Sequence, residues 1–363
     1  MSFFNKKLFG FSEESFGLDI DDLSVKVARI EKHVKGLKIT GYNSVDIARG
    51  SIVDGQIIKK ENVIRSIREA VDRAKPKKIR SRNAICALPE TKAFLRILSL
   101  PKMGKNEIQE AIKWEVEANI PLAINQVYYD WQILDINFSK DPDKMSVIMV
   151  AVARSIVDQY VSVVEEAGFR VVSVELESIA QARSLLKNEK NNEAALIIDI
   201  GETRTSFLVT VGGIACFTSS IPISSSNLTD AISKNCNVSF KEAEDMKQNF
   251  GIGSAYQDNH IFTSVKPVLE NLIAEIEKSV DFYLNGLHYS SSINRFIVCG
   301  AGSTVKGLVP YLSKNTGRDI EIGNPWINFD LKKSLPIIDK ENSVRFATVI
   351  GLALRDISYE YLS

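Results

Sequence analysis

The sequence predicts an α/β protein of two lobes, on three observations. The chain has 363 residues, enough for two or three domains at about 150 residues each. Short apolar strands alternate with amphipathic helices along it, the pattern of sheets covered by helices. One unusual pattern occurs in each half: Gly17-Leu18-Asp19-Ile20 and Ile197-Ile198-Asp199-Ile200 each set an aspartate inside an apolar strand, with a β-hairpin after it. A carboxylate in such a run is costly without a partner. The repeat therefore points to a bound group, against an Asx-turn closing each hairpin.

Composition narrows the function classes. Hydrophobic residues make up 45% and charged residues 25%, with 45 basic against 45 acidic side chains. That excludes wholesale disorder and gives no reason to expect nucleic-acid binding. No apolar stretch reaches the roughly 20 residues of a membrane helix. Cys86, Cys216, Cys236 and Cys299 form no C-x-x-C pair and predict a reduced, cytoplasmic chain. Residues 1–15 read as a tail, and Met1–Phe11 (MSFFNKKLFGF) as flexible chain or a short contact segment.

The elements follow in order. Ser15–Ile30 reads as a strand pair, Lys38–Ser44 and Ala48–Ile58 as further strands with a turn at Asp54-Gly55, and Asn62–Ala74 as a helix with Val63, Ile64, Ile67 and Val71 on one stripe. Lys75–Arg82 is a basic run, read as a solvated link. Strands at Asn83–Leu88 and Phe94–Leu100, a helix over Lys105–Asn119 stopped by Pro121, strands at Tyr128–Ile136 and Ser146–Val152, and a helix over Ser155–Ala167 capped by Gly168 predict an α+β module at about 83–168. Val171–Val174 leads into a helix over Glu177–Leu186. Ala194–Ile200 and Thr205–Thr218 read as strands. Helices begin near Ser226 and span Ser239–Asn249 and Ser264–Leu287. Arg295–Cys299 is a buried strand, followed by helices over Thr304–Asn315 and Phe346–Ile357.

Two motifs carry chemistry. Asp199-Ile200-Gly201-Glu202-Thr203-Arg204-Thr205 has the parts of a phosphate loop: a glycine for close backbone approach, hydroxyls and successive N–H donors at Thr203 and Thr205, and an aspartate able to hold hydrated Mg²⁺. In the first copy Asp21 and Asp22 replace Gly201 and Glu202. Phe296-Ile297-Val298-Cys299-Gly300-Ala301-Gly302 runs from a strand through two glycines toward a helix, which suits a nucleotide at a helix N-terminus. Val305 replaces the third glycine of a dinucleotide fingerprint, and no P-loop is present. His33, His260 and His288 lie near no nucleophile or ligand set and read as structural or surface residues.

Two hairpin loops after an aspartate and a late strand–Gly-x-Gly resemble the actin/Hsp70/sugar-kinase superfamily. Leu100-Pro101-Lys102-Met103, Glu107–Glu117 (EIQEAIKWEVE), Ile120-Pro121-Leu122, Tyr129–Leu134 (YDWQIL), Val150–Ala153 and Val174–Arg183 (VELESIAQAR) are similar to the PilM family of actin-like type IV pilus assembly proteins. The resemblance covers about 16–357. It implies a two-lobed actin-like (ribonuclease H-like) ATPase fold, with lobes at 16–195 and 196–363. Each lobe would have a five-stranded sheet, with 83–168 inserted in the first lobe and a peripheral subdomain at about 236–293 in the second. It implies ATP and Mg²⁺ in a cleft, with Asp19 facing Asp199 and both holding the metal through water. Asp19, Asp199, Gly201, Thr203 and Thr205 would bind phosphate. Glu177 would lie near the γ-phosphate as the candidate catalytic acid. Glu244, Lys247, Gly300, Gly302 and Ser303 would flank adenosine.

As partner, the resemblance implies the cytoplasmic N-terminal tail of an inner-membrane PilN-like protein, in a groove beside the inserted module. PilO would be linked indirectly, motor or platform proteins could also bind, and the chain would be peripheral at the inner membrane through its partner. Two departures, Asp21 for the usual glycine and Ser224-Ser225-Ser226 for a Gly-Gly pair, predict weak nucleotide affinity and slow hydrolysis. An FtsA-like division filament and a small-molecule kinase of the same superfamily are the alternatives.

Overall fold

Strand β1 (Ser15–Ile20) runs through the middle of a six-stranded sheet, and its aspartate is buried there. In the computed structural model, which describes residues 14–33, 36–139, 141–187, 193–252, 259–286, 292–329 and 338–359, the chain forms two units. The first comprises residues 1–187, 326–336 and 348–363, and the second 188–325 and 337–347. Met1–Phe11 and His288 lie outside the described residues.

In the first unit β1 pairs antiparallel with β2 (Ser24–His33), which pairs with β3 (Gly36–Asp46). A two-strand hairpin follows, β4 (Ile52–Val53) and β5 (Gln56–Ile57), turned at Asp54 and Gly55 with φ of 50° and 72°. Helix α1 (Lys60–Asp72) buries Val63, Ile64, Ile67, Ala70 and Val71 on the sheet. The basic run is not wholly a link. Its first two residues form β6 (Lys75–Pro76) on the edge of β3, a sixth strand beyond the five expected, and Ile79 is buried.

β7 (Asn83–Leu88) lies parallel to β1 and to β11 (Arg170–Leu176), giving the order β11-β7-β1-β2-β3-β6. Between them come β8 (Ala93–Pro101), α2 (Lys105–Asn119), β9 (Val127–Ile133), β10 (Lys144–Ala153) and α3 (Arg154–Glu166). The expected module at 83–168 is therefore too wide. β7 is a strand of the main sheet, and α3 packs Ile156, Val157, Tyr160, Val163 and Val164 into the main core. Only the three-stranded sheet β8-β10-β9 and α2 stand apart. Their core is built on Ile108, Ile112 and Val116, spaced four apart, with Val147 and Met149. Helix α4 (Glu177–Leu185) follows β11 directly.

The second unit repeats the plan. β12 (Ala194–Ile200), β13 (Thr205–Val211) and β14 (Ile214–Ile221) form an antiparallel meander, and β15 (Ile293–Cys299) and β16 (Ile320–Ile322) add in parallel. The order β14-β13-β12-β15-β16 matches β3-β2-β1-β7-β11 strand for strand. Helices α6 (Phe240–Phe250) and α7 (Asn259–Asp281) pack on α5 (Ser225–Cys236), which precedes the peripheral region expected at about 236–293. α8 (Leu308–Thr316) and α9 (Lys340–Ser343) complete the unit. The last helix, α10 (Ala347–Tyr359), departs from the expected boundary. From Thr348 it belongs to the first unit, where Leu352 packs with Ile85, Ala87 and Ala180.

Candidate functional site

The two aspartate hairpins share one backbone construction. In the first, the Asp21 amide donates to the Ser24 carbonyl at 2.9 Å; in the second, the Gly201 amide donates to the Arg204 carbonyl at 2.8 Å. Asp21 and Gly201 are thus equivalent turn positions. Asp19 is buried near the end of β1, while Asp199 is half-buried near the end of β12.

In the first unit the hairpin carries a cation that the sequence reading did not single out. Lys26, opposite Asp19 in the β1–β2 register, puts its Nζ 3.5 Å from Asp19 Oδ2 and pairs closely with Asp21. Its signal was available, since a lysine in an otherwise apolar strand needs partners as much as an aspartate does. Asp21 is therefore a partner of Lys26, so its charge is partly neutralised. Asp22 is spent on architecture: its Oδ1 accepts from the Gly55 amide at 3.2 Å, tying the β4–β5 turn to this hairpin.

Glu177 opens α4 immediately after β11. Each of Asp19, Asp21 and Glu177 brings one carboxylate oxygen within 4.8 Å of the others, a donor set able to hold a cation. Beneath them the Cys86 thiol and the Tyr160 hydroxyl are pushed up, first by burial and then by these carboxylates, Asp19 and Glu177 acting on Cys86 and Glu177 most strongly on Tyr160. The α4 N-terminus is braced by Glu90, whose Oε2 accepts from the Ser178 amide at 3.4 Å.

In the second unit Gly201 lies in the β12–β13 turn, Gly300 and Gly302 follow β15, and the packing explains why each is glycine. Gly300 has φ +81°, and a Cβ there would strike Asp199 Oδ1. A Cβ on Gly302 would strike Ile200, and one on Gly201 would come within 2.9 Å of the Arg204 carbonyl oxygen. Both glycine loops therefore close against the Asp199 hairpin. The helix expected from Thr304 begins at Leu308 instead, after a 3₁₀ turn over Ala301–Thr304. The glycine loop thus runs into a 3₁₀ turn, and the long helix starts past Gly307.

Other carried-over residues serve the loop walls. The Thr205 hydroxyl donates at 2.7 Å to the carbonyl of Ile223, just past the end of β14, and the Ser303 hydroxyl to the Gly300 carbonyl at 2.7 Å. Lys247 is 2% exposed, and its ammonium meets Glu244 Oε2 at 2.8 Å, Ser225 Oγ at 2.8 Å and Thr229 Oγ1 at 2.8 Å. Burial lowers its pKa against the opposing pull of Glu244. Lys247 thus clamps the first turn of α5. The Ser225 and Ser226 amides donate to the Gly201 and Glu202 carbonyls at 2.9 and 3.2 Å, main-chain bonds that fasten α5 to the hairpin and that glycines would make equally. Glu202 also accepts from Arg345 at 3.1 Å. Thr203 is exposed at the hairpin tip.

These two matched sheets, each with an acid-bearing first hairpin, define an actin-like ATPase fold. Solved structures agree: MreB5 of Spiroplasma citri bound to AMPPNP is 16% identical with a TM-score of 0.54, covering 97% of this chain and 98% of that one. The ethanolamine utilization protein EutJ from Carboxydothermus hydrogenoformans is 17% identical with a TM-score of 0.55, covering 93% and 88%. Within that class, the family model of the type IV pilus assembly protein PilM matches residues 17–357, and the chain belongs to that family. A solved PilM-PilN type IV pilus biogenesis complex is similar over 95% of this chain and 98% of that one, at 24% identity and a TM-score of 0.80. The cell division protein FtsA of Bacillus subtilis (strain 168) is 23% identical over 347 residues, 85% of this chain and 78% of FtsA. Among the described residues no helix is long and apolar enough to cross a membrane.

Proposed function

We propose that this chain is a nucleotide-binding scaffold of a type IV pilus machine that holds the cytoplasmic N-terminal tail of a PilN-like inner-membrane protein. The observation that carries the reading is the small sheet β8-β10-β9, set on a family member's actin-like unit. β8 and β9 are its outer strands, and an outer strand offers main-chain donors and acceptors to an extended peptide. The solved relative that assembles with PilN supports the same reading. The chain would then sit in the cytoplasm, peripheral at the inner membrane through this partner, with PilO linked through PilN.

The nucleotide is ATP with Mg²⁺ in this reading. Asp19, Asp21 and Glu177 fit a hydrated divalent ion in donor type and spacing. When bound, the ion would screen the charge of the phosphates. In the first unit Lys26 would turn from Asp21 toward a phosphate oxygen; in the second, Gly201 would let a phosphate approach the backbone of the Asp199 hairpin. Gly300 and Gly302 would let the adenosine loop lie close against the Asp199 hairpin, with Glu244 and Lys247 shaping the wall. Glu177 would orient water, and hydrolysis would be slow. The test is calorimetry of the full chain with a synthetic tail peptide of the PilN-like protein, with and without Mg²⁺-ATP. Saturable one-to-one binding is expected. Absence of tail binding in both conditions would overturn the scaffold reading, and ATP-dependent light scattering without tail binding would favour an FtsA-like filament.

A further inference from the structure

At the start of β1, away from Asp19 near the strand's other end, the first unit holds a pocket of about 490 Å³. It is lined by Glu14, Arg29, Glu31, Thr40, Gly41 and the stretch from Lys77 to Arg80. Its construction begins with a break in the sheet. Arg29 pairs with Gly41 and Ile30 with Ile39, so Thr40 is the extra residue of a β-bulge. Bulges re-aim side chains and end regular pairing. The basic run then crosses the bulge: the Lys77 amide donates to the Thr40 carbonyl at 3.1 Å, and a Cβ on Gly41 would lie 2.6 Å from the Lys77 carbonyl oxygen. The Thr40 hydroxyl is buried behind this wall with no hydrogen-bond partner.

The charges in the pocket are uneven in how they are used. Arg29 is largely buried and held by two carboxylates, Glu31 at 3.1 Å and the closely paired Glu14. The Glu14 side chain is 73% exposed, so this bridge is weak and exchangeable. Lys78 pairs with Asp72 at 2.7 Å, outside the pocket lining. Lys77 and Arg80 are exposed and make no ion pair among the described residues. A fixed guanidinium with one loosely held carboxylate, facing two uncommitted cations, is an arrangement that a multiply charged oxyanion satisfies better than water does.

We infer that this pocket is a second ligand site, distinct from the hairpin loops, for a phosphorylated group carrying at least two negative charges. The ligand displaces Glu14 from Arg29 and bridges to Lys77 and Arg80. The phosphate could belong to a free small molecule or to an anionic lipid headgroup, and the test separates the two.

The full chain, labelled with ¹⁵N, is titrated with inorganic pyrophosphate while amide shifts are followed. Saturable shifts are expected at Thr40, Gly41 and Lys77 to Arg80, besides any at Gly201 or Gly300. Lys77→Gln with Arg80→Gln should weaken the first set about tenfold by removing two charges at close range, leaving the second set unchanged. Glu14→Gln should tighten the first set, because it removes the competing carboxylate; a nonspecific basic surface would hardly respond to that change. In parallel, the chain is sedimented with vesicles of phosphatidylglycerol and phosphatidylcholine. Sedimentation lost in the double variant would assign the site to a headgroup, and pyrophosphate shifts without sedimentation would assign it to a free molecule. If neither probe engages these residues, or if the double variant binds both as wild type does, the site does not exist.

Discussion

Asp21 is the residue where this chain departs most consequentially from the resemblance that first suggested a nucleotide. Read from sequence, its carboxylate faces the phosphates and repels them. The structure supplies the missing partner, Lys26, which pairs with Asp21 and lies 3.5 Å from Asp19. Asp21 thus has two effects on a polyanion: its own charge, and the restraint of a lysine that could otherwise meet phosphate. Asp21→Gly should tighten ATP binding about tenfold in EDTA, roughly what one partly screened charge at a few ångströms contributes. With Mg²⁺ the gain should shrink, because Asp21 is one of three carboxylates grouped for a cation. Calorimetry of both forms in both conditions decides it, and unchanged affinity in EDTA would remove Asp21 from the phosphate environment.

At the scale of elements, α4 is held by two neighbours, β11 and α10. Arg183 makes two bonds to Glu175 of β11, at 2.5 and 2.6 Å, and one to the Gly351 carbonyl of α10 at 2.9 Å. The Gln181 side chain donates to Thr348 at 3.1 Å. The buried Glu175 is raised by desolvation, but Arg183 and Arg355 outweigh this and hold its pKa below the usual 4.5. A depressed carboxylate contributes stability above its unfolded pKa, and loses it as pH falls through the folded one. Glu175→Gln should therefore cost about 3 kcal/mol at neutral pH, the scale of a broken buried pair. The deficit relative to wild type should fade below pH 4.5; urea unfolding across pH would show it, and a constant deficit would assign the loss to packing.

Most of this architecture was legible in the sequence. The stripe of α1, the span of α2 and the strand carrying Asp199 follow from periodicity and punctuation. Three features were not. Lys247 is expected only to flank adenosine until its ammonium is seen bound to Ser225 and Thr229 of α5. The main-chain bonds from the start of α5 to the Gly201 and Glu202 carbonyls leave no mark in the side-chain pattern. And β7 reads as part of the module because local pattern says nothing about which sheet a strand joins.

On the scale of the whole molecule, the narrower insert makes a cleaner experiment possible. Leu95 and Val150 are direct partners across β8 and β10, so residues 96–149 can be replaced by a two-residue turn without stretching the backbone. Val150 and Val152 stay in the main core. The shortened chain should keep its nucleotide affinity and most of its unfolding free energy, and lose binding of the PilN-like tail by at least about 100-fold, a loss of roughly 2.7 kcal/mol. Full tail affinity after the excision would move the partner site off the small sheet. Removal of 83–168 would be uninformative, since it takes β7 and α3 from the main sheet and its core.

The seat of α10 also bears on how the chain comes to be folded at all. Gly17 of β1 lies so close under this helix that a Cβ would come within 2.5 Å of the Val349 carbonyl oxygen, and the Ser15 hydroxyl donates to Asp356, 341 positions later, at 2.6 Å. At roughly 5–20 residues per second, the ribosome finishes the cover for β1 tens of seconds after making β1 itself. Through that interval the neighbouring strands present an open apolar face, and by its end the second unit has nearly all its chain. Nascent chains arrested before Thr348 should accordingly be bound by holding chaperones and cleaved within the first unit, with the second unit already resistant to protease.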